Sequence, residues 1–194
     1  MTNRQLQAQN TKERILKTAY ELIEKNSYEK TSIKEICKAA KVSVGAFYHH
    51  FQSKQGIIIA GYEECDIYFK ENVFGMLTSQ DPVARIAEYI DFQMDYAVST
   101  GIDLMIELYK AQITDGAEFF LQTSRGLPQG LYTIVEAAQQ AGAITKEQSV
   151  GSITSELLLI SRGVIYNWCQ NKGNYDLRAY CHKIITAHLY SYTL

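Results

Sequence analysis

Between Val42 and Lys54 the chain reads Val-Ser-Val-Gly-Ala-Phe-Tyr-His-His-Phe-Gln-Ser-Lys, and the side chains able to do chemistry there fall at helical spacing. Phe47 and Phe51, four apart, make one apolar stripe with Val42, while Val44, Gly45, Tyr48 and His49 point the other way. An exposed face holding an aromatic ring and a glycine is odd for plain solvation and suits close approach to DNA. A short helix that keeps one stripe for its core and gives the other to the major groove is the second helix of a helix-turn-helix. Val44 is placed to meet a thymine methyl, and Gly45 to let the backbone come near a base edge. No Arg, Asn or Gln stands on this face, so bidentate readout is absent from it. DNA shape and a basic arm over residues 1–12 are expected to share the work.

Other chemistry finds little footing. Cys37, Cys65, Cys169 and Cys181 form no Cys-x-x-Cys pair, and the only adjoining histidine is His182. No metal site is expected at such spacing, and the thiols read as small packed apolar groups, with a thiol sensor or a crosslink as the alternative. There is no Gly-rich phosphate loop after a strand, no His-Glu-x-x-His and no nucleophile elbow, so neither an enzyme nor a cofactor is expected. The longest apolar runs fall well short of the ~20 residues that cross a bilayer. The polar N-terminus lacks the apolar stretch of a secretory signal, which points to the cytoplasm and reduced cysteines.

The elements that must position these residues are helices. The chain has 194 residues, 46% hydrophobic and 21% charged, and only two prolines, with no sustained period-two pattern. An all-α fold of about nine helices is expected. Asn10 or Thr11 can cap a first helix carrying Ile15, Ala19, Leu22 and Ile23. Ser32 and Glu35 make a capping box for a second, Ser43 caps a short third, and Ser53 opens a fourth reaching toward Gly75. Five more are placed near residues 81–99, 102–113, 127–141, 145–171 and 175–192, with Gly101, Gly126 and Gly142 as breaks. Residues 1–60 carry ten Lys+Arg against five Asp+Glu, and residues 61–194 nine against sixteen. A basic head on an acidic body fits a protein that turns one end toward phosphate.

The stretch from Thr11 to Ile57 resembles the DNA-binding domain of the TetR family of repressors. The resemblance rests on Thr11-Lys-Glu-Arg-Ile15, Ala19, Thr31-Ser-Ile-Lys-Glu-Ile36, Val42-Ser43, Gly45, and Tyr48-His-His-Phe51-Gln-Ser-Lys54. It covers the head only. It implies a helix-turn-helix domain over residues 1–52, with Thr31, Tyr48, His49 and Lys54 near phosphates, where they position the duplex without reading it. Ser32 and Ser43 join them as caps, and Thr31 and Lys54 also lie beside helix N-termini that attract anions. Three residues depart from the family pattern: Lys41 where the turn usually has glycine, Ala46 for a hydroxyl residue, and Gln52 for a proline. Lys41 must accept a left-handed backbone or reshape the turn.

Residues 53–194 are expected to form a helical ligand-binding and dimerisation domain. Tyr89, Phe92 and Tyr96 make a second stripe on the 81–99 helix, and with Tyr62, Phe69, Met105 and Tyr109 they could line an aromatic cavity or simply fill the core. The expected guest is a small hydrophobic or amphipathic molecule, cationic if Asp91, Asp95 or Glu107 faces the cavity. Ile153, Leu157, Ile160, Val164 and Trp168 form one long stripe, and Cys181, Ile184 and His188 lie on another. Both stripes suit the four-helix dimer interface that the resemblance implies. The expected function is a homodimeric DNA-binding transcriptional regulator, a repressor released from its operator by a small molecule. The alternative is an architectural DNA-binding protein whose body holds a protein partner.

Overall fold

The structure is a computed structural model that describes residues 2–114 and 122–193. Those residues are helical apart from turns and one isolated antiparallel bridge between Ile144 and Thr193, so the all-α expectation holds. We number the helices α1 (Asn3–Asn26), α2 (Ile33–Ala40), α3 (Val44–Phe51), α4 (Gln55–Tyr68), α5 (Pro82–Thr100), α6 (Ile102–Thr114), α7 (Gly126–Gln140), α8 (Val150–Gln170) and α9 (Leu177–Tyr190).

The chain divides into two compact units, Met1–Glu64 with Asp103–Gly116, and Cys65–Ile102 with Ala117–Leu194. Packing therefore divides the chain differently from the expected boundary between residues 52 and 53. The boundary falls inside α4, and most of α6 joins the first unit because Leu104 and Ala111 are buried in the core of α1 to α4.

In the first unit, α1 begins at Asn3 and not near Asn10 or Thr11. Thr2 accepts from the backbone N–H of Gln5 while the Gln5 side chain returns to the Thr2 backbone, and the residues that follow are good helix formers. Thr11 is mid-helix, its hydroxyl donating to the Gln7 carbonyl oxygen at 2.8 Å. The expected basic arm is thus helical from Asn3 onward, with Thr2 as its cap and Met1 outside the described residues. The Ser32/Glu35 capping box and the Ser43 cap stand as read from sequence. Lys41 adopts the left-handed conformation, φ 54° and ψ 49°, which resolves the first departure: the turn keeps its shape and the lysine bears the strain. At Gln52 φ is 57°, a value no proline ring can reach. Ile15, Ala19, Ile23, Ile36, Phe47 and Ile57 are fully buried and fix α1, α2, α3 and the start of α4 to one another.

In the second unit the helix expected to run on to Gly75 changes its winding. A π-helical turn at Phe69–Val73 follows α4, then a last turn at Phe74–Met76, and Phe69 and Val73 are both fully buried. Asp81 caps α5, with Pro82 in the first turn. The helix after Ala143 starts at Val150, capped by Ser149, instead of near Thr145. Thr145 is occupied elsewhere, its N–H donating to the Tyr192 carbonyl at 2.8 Å beside the 144–193 bridge. The same bridge ends α9 at Tyr190. None of the described helices is long and apolar enough to cross a membrane.

Candidate DNA-binding face

The short helix α3 is held from both ends of its apolar stripe. Phe47 is fully buried and Phe51 nearly so, their rings 5.5 Å apart, and Ser43 accepts the N–H of Ala46 at 3.1 Å to cap the helix. With that side fixed, the other is fixed too. Val44 is 43% exposed and Tyr48 48%, and Ser43, Gly45 and His49 are exposed beside them. A Cβ placed on Gly45 would meet only the Ser43 Oγ, at 3.8 Å, so nothing inside the protein requires glycine there.

The other expected contact residues are differently placed. Thr31 is 1% exposed, and its hydroxyl donates inward to the carbonyls of Ser27 at 2.8 Å and Leu22 at 3.2 Å. As placed it ties the end of α1 to the start of α2 and turns no donor toward a phosphate. Thr31→Val is expected to lower stability by about 1–2 kcal/mol by leaving buried carbonyls short of a donor. Affinity for DNA, measured below the melting transition, should stay within about twofold; a larger loss in folded protein would put the hydroxyl on the DNA after all. Ser32 is exposed but engaged in its capping box, where its hydroxyl donates to Glu35 Oε2 at 2.7 Å and holds that carboxyl below its usual range. Lys54 is half-buried and folded back, its Nζ donating to the Tyr28 carbonyl oxygen and lying 4.1 Å from the centre of the Tyr28 ring.

Two further groups stand here, His50, which the resemblance places with His49 near phosphate, and Tyr28, which the sequence did not single out. His50 stands beside His49, ring centres 5.3 Å apart, and partial burial, then His49 and Lys12, lower its tendency to protonate. Tyr28, which holds Lys54, carried no signal beyond being an aromatic after a helix end.

The residues expected to line a cavity divide between the units. In the first, Met105 is buried and Tyr62 accepts a hydrogen bond from Gln112 Nε2. In the second, Phe69 and Tyr89 are packed edge to face with centres 5.1 Å apart, and the Tyr89 hydroxyl donates to the Leu127 carbonyl at 3.0 Å. Phe92 and Tyr96 are half-buried, with the Tyr96 ring 5.4 Å from that of Tyr68. The three acids that would have favoured a cationic guest have side-chain partners within the protein instead. Asp91 meets His182 at 2.9 Å and Arg178 at 3.7 Å, Asp95 meets Arg178 at 2.8 Å, and Glu107 meets Lys110 at 2.6 Å.

Of the expected interface residues, Ile153, Leu157, Val164, Trp168 and Cys181 are buried within the chain itself, while Ile160, Ile184 and His188 keep partial exposure. Apolar periodicity found the stripe that faces the subunit's own core. The outer stripe is shorter: Leu159, 73% exposed, then Gly163 and Tyr166 one and two turns on, with Tyr180 and Ile184 on α9. His188 is drawn into a cluster with Tyr192 and Glu156. Cys37, Cys65, Cys169 and Cys181 are free thiols, all made less acidic by burial, Cys65 and Cys181 up to about 12 and Cys169 to about 11. Such thiols are poor nucleophiles at neutral pH, which favours packing over sensing.

Comparison with known proteins bears on this face. The model of bacterial regulatory proteins of the tetR family matches residues 15–60. The HTH-type transcriptional regulator UidR of Escherichia coli K12 is 33% identical over 99 residues, 51% of this chain and 47% of that protein, so the match spans about half the length of that relative. The probable acrEF/envCD operon repressor of the same strain is 27% identical over 186 residues, covering 88% of this chain and 84% of the repressor. Among solved structures, the FadR repressor of Thermus thermophilus in complex with lauroyl-CoA superimposes with a TM-score of 0.73 at 19% identity, over 92% of this chain and 93% of that one. FadR of Bacillus subtilis in complex with stearoyl-CoA gives 0.65 at 20% identity, over 91% and 96%.

Proposed function

We propose that the chain is a member of the tetR family of bacterial regulatory proteins, whose model matches residues 15–60, and that it is a DNA-binding transcriptional regulator, a homodimeric repressor that leaves its operator when a small hydrophobic or amphipathic ligand binds. The observation that carries the reading is the outer face of α3, where Val44 and Tyr48 are exposed on either side of a glycine that the protein's own packing does not need. Val44 and Gly45 read base edges, and Tyr48, His49 and the cap at Ser43 hold phosphate and sugar. A two-fold dimer sets two such helices about one helical turn, ~34–36 Å, apart. Selection from a pool of random duplexes should therefore enrich near-palindromic sites, whereas enrichment of nothing, or of one unpaired half-site, would count against the reading.

The second copy docks on the outer stripe of α8 and α9, around Leu159, Gly163 and Tyr166, which offers both an apolar side chain and a small residue for close helix approach. Because the interface is isologous, Leu159→Glu acts twice. It should weaken the dimer by about 2–4 kcal/mol and shift the chain to monomer at micromolar concentration, as read by light scattering, with the helical signal unchanged.

Lauroyl-CoA and stearoyl-CoA in the two FadR complexes are amphipathic molecules of the ligand class proposed here. A ligand of that class lowers operator affinity only if it binds the DNA-free form more tightly, and DNA then weakens the ligand by the same factor. Titration of such molecules into the free protein and into the protein–operator complex measures that factor, and equal affinity for both would exclude the molecule as inducer.

A further inference from the structure

With one exception, the buried polar side chains described in the second unit are bonded within the chain. Asp91 meets His182, Arg125 donates to Asp66, Gln139 donates to the Thr145 and Gln148 carbonyls, and Thr154 and Ser161 donate to the carbonyls of Val150 and Leu158. The exception is Gln93 on α5. It is only 9% exposed, yet its amide makes no hydrogen bond to any described residue. A buried amide without a partner costs free energy, so something outside the described chain has to satisfy it. No fully enclosed side-chain nitrogen or oxygen among the described residues lacks a partner, so the Gln93 amide borders space that a water or a ligand atom can reach.

The surroundings are aromatic. Tyr89 stands one turn before Gln93 on α5 and Tyr96 one turn after it. Rings link those two in an unbroken arc, with centres 5.1 Å apart from Tyr89 to Phe69, 5.5 Å from Phe69 to Tyr68 and 5.4 Å from Tyr68 to Tyr96. The Tyr89 hydroxyl is committed to the Leu127 carbonyl, and position 130 must be glycine because a Cβ there would come within 2.1 Å of that hydroxyl. Phe69 opens the π-helical turn, a winding that recurs at functional sites. Charge lies elsewhere on α5, where Asp91 and Asp95 are taken by Arg178 and His182 of α9.

We propose that Gln93 determines ligand specificity in the second unit: its amide hydrogen-bonds the uncharged carbonyl group of an amide, ester or thioester ligand whose apolar part lies against the rings of Tyr68, Phe69 and Tyr96. The inference rests on the ligand-responsive reading above and names the chemistry of its ligand. An amide offers two donors and an acceptor but no countercharge, so an ionised end is disfavoured at this position.

The test compares octanamide with 2-methylnonane, which has the same shape and no carbonyl, on the full chain and on Gln93→Leu. Calorimetry and NMR read the binding. Octanamide should bind the parent and move the Gln93 side-chain amide resonance, assigned by its loss in the variant, and octanoate should bind more weakly. Gln93→Leu should weaken octanamide roughly 10-fold and leave 2-methylnonane as tight or tighter. Its melting temperature should hold or rise, because an unpaired amide has been removed. Gln93→Met makes the same comparison if the leucine variant folds poorly. An equal loss of both probes would make Gln93 a structural residue, and an unmoved amide resonance with octanamide bound would place the carbonyl elsewhere; either overturns the inference. Octanamide that binds and releases operator equally well in parent and variant sinks this inference alone, whereas binding of neither probe counts against the ligand-responsive reading and this inference together.

Discussion

Gly45→Leu is expected to fold as well as the parent protein and to bind operator roughly 10- to 100-fold more weakly, a loss of about 1–3 kcal/mol. The two halves of that expectation come from different physics. Within the chain a Cβ at position 45 meets only the Ser43 Oγ at 3.8 Å, an ordinary contact, and leucine is a better helix former than glycine by roughly 0.8 kcal/mol. Stability should hold or rise. In the proposed complex the same side chain would stand where the helix backbone comes close to the base edges, beside the exposed Val44 and Tyr48. Circular dichroism melts and a gel-shift titration on one preparation separate the halves. Unchanged operator affinity would remove Gly45 from the face, and a fall in melting temperature would mean that the glycine serves the fold.

The largest expected effect on stability is at Phe47. Its side chain is fully buried, its ring centre lies 5.5 Å from that of Phe51 and 5.7 Å from that of Tyr48, and it closes the core of the first unit from the side opposite the exposed face of α3. Phe47→Ala removes that ring and leaves a cavity, which typically costs about 3–5 kcal/mol. Because the chain forms two compact units, the loss should appear as an earlier transition of the first unit, read by hydrogen exchange in α1 to α3. Uniform loss of protection across both units would show that they unfold together. Phe47→Leu, which keeps most of the volume, should restore most of the stability.

How much of this was legible in the sequence depends on the range of the physics involved. The Ser32/Glu35 box, the Ser43 cap and the alternation of Phe47 and Phe51 with Val44 and Tyr48 are local, set within one or two helical turns, and α2 and α3 form where those signals put them. The start of α1 was misplaced because Thr11 looks like a cap in isolation, yet the capping box at Thr2 and Gln5 lets the helix begin a full eight residues earlier than Thr11. Long-range facts were beyond the pattern. Apolar periodicity on α8 cannot distinguish a stripe facing its own subunit from one facing a partner, and it selected the buried Leu157 and Trp168 over the exposed Leu159 and Tyr166. Nothing local to Thr31 announces that its hydroxyl turns inward to Leu22 and Ser27, and nothing near Lys54 announces the Tyr28 ring. Both depend on where the end of α1 is carried by the burial of Ile15, Ala19 and Ile23.

In the proposed function two copies of the α3 face grip one operator together. Hydroxyl-radical footprinting of a selected site, with native mass spectrometry of the same complex, tests it most directly. Protections are expected in two successive major grooves about one helical turn apart, related by two-fold symmetry, with an even number of chains per duplex. A single asymmetric protected half-site bound by one chain would contradict it.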